Sequence, residues 1–225
     1  MAKIVRTRAA QKARALEVYD RLRKAYPDAR CSLDFTNPLE LLVATILAAQ
    51  CTDERVNMVT KSLFQRYPDA ASYVRAPQEE LEEAIRACGF YRNKAKNIRN
   101  ACAALVERFG GRVPETMEEL LTLDGVGRKT ANVLLCECAG TPAIVVDTHC
   151  GRLARRLGFT KARDPDKIEQ DLMKLLPSDK WRMFSHSLVF HGRAICHARG
   201  PKCSQCPVAD LCPFPDTQEG KRIAK

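Results

Sequence analysis

The sequence predicts an all-α protein of two helical domains. Three observations carry this. Apolar residues recur at spacings of three and four almost throughout, and strict period-two alternation is scarce. Helix-start signals stand at Asn37-Pro38, a capping Asn before a Pro at the first helical position, and at Thr116-Met-Glu-Glu119, a capping-box pattern. Glycines at 110–111 and 140 stop the segments that precede them.

In chain order, a first helix covers 7–26, closed by the Pro at 27. The next runs from Pro38 through Leu41, Leu42, Val43, Ile46 and Leu47 to Gln50, and Asp53 opens another to Tyr67. Segments 77–88, 92–109, Thr116–Leu123 and Gly127–Ala139 follow, which makes six helices between 38 and 140. Ala143-Ile-Val-Val146 is short, apolar and β-branched, a strand by propensity. In so helical a chain it is expected as a buried connector. Helices are expected again at 148–157, 165–176 and 181–195, and a frayed or loosely docked end over the last dozen residues.

The length of 225 residues allows one large domain or two modest ones, and a hydrophobic content of 45% excludes wholesale disorder. No apolar run reaches the roughly 18 residues of a membrane span, and no signal-peptide pattern follows the start. A cytoplasmic, nucleoid-associated protein is therefore expected. The net charge of +10 is unevenly spread: residues 1–30 carry nine Lys/Arg against three acids, residues 142–225 carry 15 against nine, and residues 31–141 carry 13 against 15. Basic ends around a near-neutral middle suggest that 1–30 and 142–225 pack together as one domain and 31–141 as another. The excess favours a polyanionic partner, most simply nucleic acid. The first 14 residues hold five positive charges and no acid, and are expected to sit loosely on the surface. Eleven cysteines, an odd number, without a secretory signal argue against a disulfide framework.

Three constellations carry chemistry. In Leu123-Asp-Gly-Val-Gly-Arg-Lys129-Thr-Ala131, Gly125 and Gly127 flank Val126 in a tight turn ahead of a helix start, with Arg128 and Lys129 following at once. Backbone N–H groups and the helix dipole make such a turn a phosphate seat that reads no bases. Cys196-x6-Cys203-x2-Cys206-x5-Cys212 places four thiols within 17 residues, suited to an iron–sulfur cluster or to zinc. One Cys-x2-Cys knuckle rather than two favours 4Fe-4S. The other seven cysteines are scattered along helical faces, where core packing is expected. In Val145-Val-Asp147-Thr-His149-Cys150, Asp147 precedes a helix, where it can cap and stay ionised.

Together these stretches resemble the endonuclease III family of helix-hairpin-helix DNA glycosylases, from about Ala15 to Cys212. His191-Gly192-Arg193 and Ala48-Ala49-Gln50-Cys51-Thr52-Asp53 add to the resemblance. It implies a six-helix barrel domain with the hairpin over 31–141, an iron–sulfur cluster domain from 1–30 plus 142–225, and a DNA-binding cleft between them. It implies a monomer acting on double-stranded DNA that contains damaged pyrimidines or abasic sites. Lys129 matches the nucleophile and Asp147 the catalytic aspartate. Gln50, Phe90 and His149 match positions that fill the duplex once a base is everted. Gly125, Val126, Gly127 and Arg128 form the hairpin that grips DNA, and Arg199 and Lys202 sit on a phosphate-contacting loop. Cys196, Cys203, Cys206 and Cys212 match the ligands of a 4Fe-4S cluster. The implied reaction is base excision with a nick 3′ to the abasic site, by β-elimination through a lysine Schiff base.

The chain departs from the family at Asp124, where Pro is common, at Phe90, where Leu is common, and in its longer basic arm. Asp124 is expected to repel phosphate unless it caps the following helix. Burial, with Arg128 nearby, is expected to lower the pKa of Lys129. Two alternatives compete. A mismatch-type glycosylase specific for adenine would need a glutamate where Thr45 stands, and one specific for thymine would replace Lys129. A non-enzymatic DNA-binding protein would leave Asp147 unexplained.

Overall fold

The structure, a computed structural model, describes residues 7–223; among them there are helices and connectors and no strand. The chain divides into two compact units, Cys31–Thr141 and Met1–Arg30 with Pro142–Lys225. No helix among the described residues is long and apolar enough to cross a membrane.

The 31–141 unit is built around α2 (Pro38–Leu47), which is apolar on nearly every side and therefore central. Asn37 caps it, its side chain accepting the Glu40 N–H at 3.0 Å. Leu41, Leu42 and Leu47 are fully buried in one core that also holds Leu63 of α3 (Asp53–Arg66), Tyr73 of α4 (Ala70–Arg75) and Leu81 of α5 (Gln78–Ala84). Ile98 and Leu105 of α6 (Tyr91–Phe109), Leu120 of α7 (Met117–Leu120) and Leu135 of α8 (Arg128–Cys138) complete this core. Each such burial contributes about 1.5–3 kcal/mol.

The six expected positions are helical here, with four differences. The α2 helix stops at Leu47, and Ala48–Gln50 turn away. The additional α4 is opened by a reciprocal capping box between Asp69 and Ser72; at six residues it is too short to show a period. The 77–88 segment breaks after Ala84 into a 3-10 turn, Arg86–Cys88. Thr116 caps the Glu119 N–H at 3.3 Å, but the Glu119 carboxylate accepts from the Thr116 hydroxyl, so only half of the expected box forms.

In the other unit, α1 (Arg8–Ala25) lays Ala15, Val18 and Leu22 on α11 (Trp181–Ala194), where Phe184 and Leu188 are fully buried. The α9 (Thr148–Arg156) and α10 (Pro165–Met173) helices add Leu153, Ile168 and Leu172. Residues 143–146 are a buried connector, as expected, and the Val145 N–H is taken up by the Ser185 hydroxyl at 3.1 Å. Two expectations are corrected. The C-terminal segment folds into a 3-10 turn, Phe214–Asp216, and α12 (Gln218–Ile223), with Gly220 packed so closely on the Phe214 carbonyl that no Cβ would fit. Arg14, placed in a loose arm, is half-buried: it donates to the Leu157 and Leu211 carbonyls at 2.7 and 2.8 Å and lies over the Phe159 ring. Residues 1–6 of that arm, with Lys3 and Arg6, lie outside the described residues.

Candidate nucleic-acid interface and cluster site

In the 31–141 unit, buried Leu123 and Val126 anchor the turn that Gly125 makes at φ +78°. Gly127 occupies the N-cap of α8 and has no side chain to cap it, so the turn presents backbone N–H groups at a positive helix end. Asp124 does not cap α8. Its carboxylate accepts from the Asn100 amide at 2.7 Å, and Asn97, one turn earlier on α6, packs under Gly125, 3.1 Å from where a Cβ would stand. The sequence reading missed both asparagines; their only signal was an i, i+3 pair on one helix face. Lys129 is exposed in the first turn of α8, which corrects the expectation of burial.

Gln50 and Phe90 follow α2 and precede α6, and both are exposed, Phe90 to 64%. Among the described residues they are the two non-glycines at positive φ, +55° and +48°. Such a backbone costs about 1–3 kcal/mol and persists only where its surroundings impose it.

In the other unit, Asp147 caps α9, its Oδ1 accepting the Cys150 N–H at 2.7 Å. His149 is half-buried with Nδ1 3.0 Å from Arg152 Nη2. Burial holds its pKa below the ordinary histidine value, Arg152 and Arg193 add to this, and Asp147 opposes it. Arg152 also donates to the Gly192 and Cys196 carbonyls at 3.1 and 3.0 Å. A Cβ on Gly192 would stand 2.7 Å from His149 Nδ1, so the close approach of α9 and α11 requires glycine there. Gly192→Ala is expected to displace His149 and to destabilise the fold by about 1–3 kcal/mol. Thermal unfolding together with single-turnover cleavage checks this; an unchanged melting temperature would mean the helices separate without cost.

Cys196, Cys203, Cys206 and Cys212 line one cavity, beside Arg156, His191 and Phe214. Burial pushes Cys206 up to about 11 and Cys212 up to about 12, and the neighbouring thiols add to both. Four thiolates lining one cavity need a cationic centre among them, which a cluster's irons supply. Among the described residues, no three His, Cys, Asp or Glu side chains converge tightly enough for one ion. Four thiolates are the donor set of an iron–sulfur cluster. Arg156 Nη1 lies 3.3 Å from Cys196 Sγ, and His191 Nε2 lies 3.3 Å from Cys206 Sγ. His191 is buried against the Tyr26 hydroxyl, and burial pushes it down to about 4. The 196–203 loop is closed by the Lys202 N–H on the Ile195 carbonyl and pinned from within by Arg156 on the carbonyls of His197 and Ala198. Arg199 and Lys202 are exposed on its outer side. The expectation missed Arg156 and Arg152, which look like two of many surface arginines in the sequence.

Residues 43–178 match the HhH-GPD superfamily of base excision DNA repair proteins, and residues 196–212 match the iron–sulfur binding domain of endonuclease III. The first span contains the hairpin, Lys129 and Asp147; the second begins and ends on the outer cysteines. Hairpin and cluster segment together define the class: base excision DNA repair proteins with an iron–sulfur domain. The endonuclease III of Synechocystis sp. is 56% identical over 214 residues, 95% of this chain and 98% of that one. The endonuclease III of Bacillus subtilis is 44% identical over 207 residues, 92% of this chain and 94% of that one. The chain belongs to the endonuclease III family, and its cofactor is a 4Fe-4S cluster. A solved non-covalent endonuclease III–DNA complex superposes with a TM-score of 0.87 at 46% identity, over 94% of this chain and 97% of that one. A trapped endonuclease III–DNA covalent intermediate matches with the same TM-score. A thermostable thymine-DNA glycosylase, TM-score 0.79 at 23% identity, shares the fold.

Proposed function

We propose that this chain acts as a monomer on duplex DNA carrying oxidised or ring-saturated pyrimidines, through Lys129 and Asp147. It is a bifunctional DNA glycosylase and AP lyase of base excision repair. A base inside a stacked duplex is out of reach, so the nucleotide is everted, and loss of aromaticity eases this by weakening stacking. Gln50, Phe90 and His149 fill the space it leaves. The hairpin N–H groups hold backbone phosphate, and Arg199 and Lys202 hold it at the 196–203 loop. The neutral Lys129 amine attacks C1′; the C1′–N bond breaks and the base leaves with the electron pair, taking up a proton. Asp147 stabilises the positive charge that develops on the sugar. The added nitrogen then gives up a proton and the C1′–O4′ bond opens, O4′ taking one up, which leaves a lysine iminium at C1′; this acidifies the C2′ protons, and loss of one expels the 3′ phosphate and nicks the strand. Lys129 is exposed in the protein alone, and bound DNA would cover it and exclude water from the reacting amine. The cluster, when bound, supplies iron–thiolate cross-links that are structural.

One observation carries this reading: an exposed primary amine in the first turn of α8, directly after a glycine turn with no side-chain cap. Against adenine excision, the Thr45 hydroxyl donates to its own helix, at the Leu42 carbonyl 2.8 Å away. The test incubates the protein with a thymine-glycol duplex and borohydride. A covalent adduct and a nick 3′ to the lesion are expected, with adenine opposite 8-oxoguanine left intact. Adenine release without an adduct would overturn the proposal in favour of a mismatch glycosylase.

A further inference from the structure

Lys94, on α6, is 4% exposed and takes part in none of the steps above. Its Nζ donates to two backbone carbonyls, those of Leu47 and Cys88, each at 2.8 Å. Leu47 is the last residue of α2, and Cys88 is the last residue of the 3-10 turn before α6. Helix ends leave such carbonyls without a partner, and a cation is the favourable group to meet them. Gln50 lies three residues beyond the first carbonyl and Phe90 two beyond the second. One buried ammonium thus ties together the roots of the two turns that hold non-glycine residues at positive φ.

Burying an ammonium is costly unless it is hydrogen-bonded. Burial lowers the Lys94 pKa, while the nearby thiols of Cys51 and Cys88 act the other way. An apolar residue would fill this space at less cost, but it would leave both carbonyls unsatisfied and the turns uncoupled. Two charge-assisted bonds from one atom set a spacing that neither turn sets by itself.

We infer that Lys94 is a positioning residue, whose ammonium holds the Gln50 and Phe90 turns at one fixed separation so that the two side chains enter the duplex as a unit. The inference rests on the duplex-filling role proposed for Gln50 and Phe90. Its consequence is selective. Eversion from a duplex depends on the spacing; chemistry on an abasic site in single-stranded DNA, with no base to evert and no gap to fill, does not.

The test compares the cluster-loaded protein with Lys94→Met, Lys94→Arg and the double variant Gln50→Ala/Phe90→Ala. Two rates are read: single-turnover cleavage of a thymine-glycol duplex and lyase cleavage of a single-stranded abasic oligonucleotide. Lys94→Met is expected to lose about a hundredfold on the duplex, the scale of a misplacement near 1 Å, and under about threefold on the single strand. Lys94→Arg keeps the charge but not the two-carbonyl geometry; a smaller loss, again confined to the duplex, is expected. Adding Lys94→Met to the double variant is expected to cost less than about twofold more, because coupled residues are not additive. Equal losses on both substrates, or a full additive loss in the triple variant, would overturn the inference. Should Lys94→Met fail to fold, Lys94→Arg is judged by the same criterion: a duplex-confined loss supports the inference, and no loss or an equal loss overturns it. If the double variant itself loses nothing on the duplex, the duplex-filling role is what fails, and the inference falls with it.

Discussion

Lys129→Gln is expected to bind duplex DNA and to give neither base release nor a borohydride-trapped adduct, a loss of at least about 10⁴-fold in single-turnover rate. Glutamine has comparable helix propensity and nearly the same reach, so α8 and the hairpin turn should persist. What disappears is the amine, and with it the covalent route. The competing role for Lys129 is a phosphate contact only, and it predicts something different. One lost contact changes the slope of log K against log salt by about 0.9 and weakens binding, yet leaves the chemistry running. Trapping at the wild-type level in Lys129→Gln would place the nucleophile elsewhere.

Asp147→Asn is expected to fold normally and to lose about 10²–10³-fold in single-turnover rate, the scale of one lost electrostatic contact to a transition state. Asparagine caps helices as well as aspartate does, so the bond now made by Asp147 Oδ1 to the Cys150 N–H is retained in kind. Only the charge is removed. The sign at His149 follows from the same substitution. Asp147 now holds the imidazole pKa up against burial and against Arg152 and Arg193, so its loss moves that pKa further down. Histidine titration followed by NMR should show the shift. A near-normal cleavage rate with an unchanged melting temperature would reduce Asp147 to a helix cap.

The parts of this site that the sequence displays are those whose physics is local. Asn37 and Asp147 cap helices through bonds that span three residues. The Gly125–Gly127 turn and the four-cysteine spacing are written within nine and 17 consecutive residues. The order of charges along the chain suggests a basic, discontinuous unit around a near-neutral middle. Where elements are one or two turns long, as in α4 and α7, period gives way to capping chemistry and the reading weakens.

The sequence by itself thus determined the helical class, the hairpin, the thiol set and the residues offered for catalysis. Only the tertiary structure decided what holds them. The Asp124 partner, Asn100, lies 24 positions away, and Lys94 reaches a carbonyl 47 positions before it. Arg156 meets the 196–203 loop across 41 positions, and Gly192 is required because α9 brings His149 against it. In the sequence, Lys94, Arg152 and Arg156 are three among 37 basic residues. A cap or a turn is satisfied within its own few residues, so its signal is local. A buried cation takes whatever carbonyls the packed helices bring to it, and that choice exists only once the core has formed.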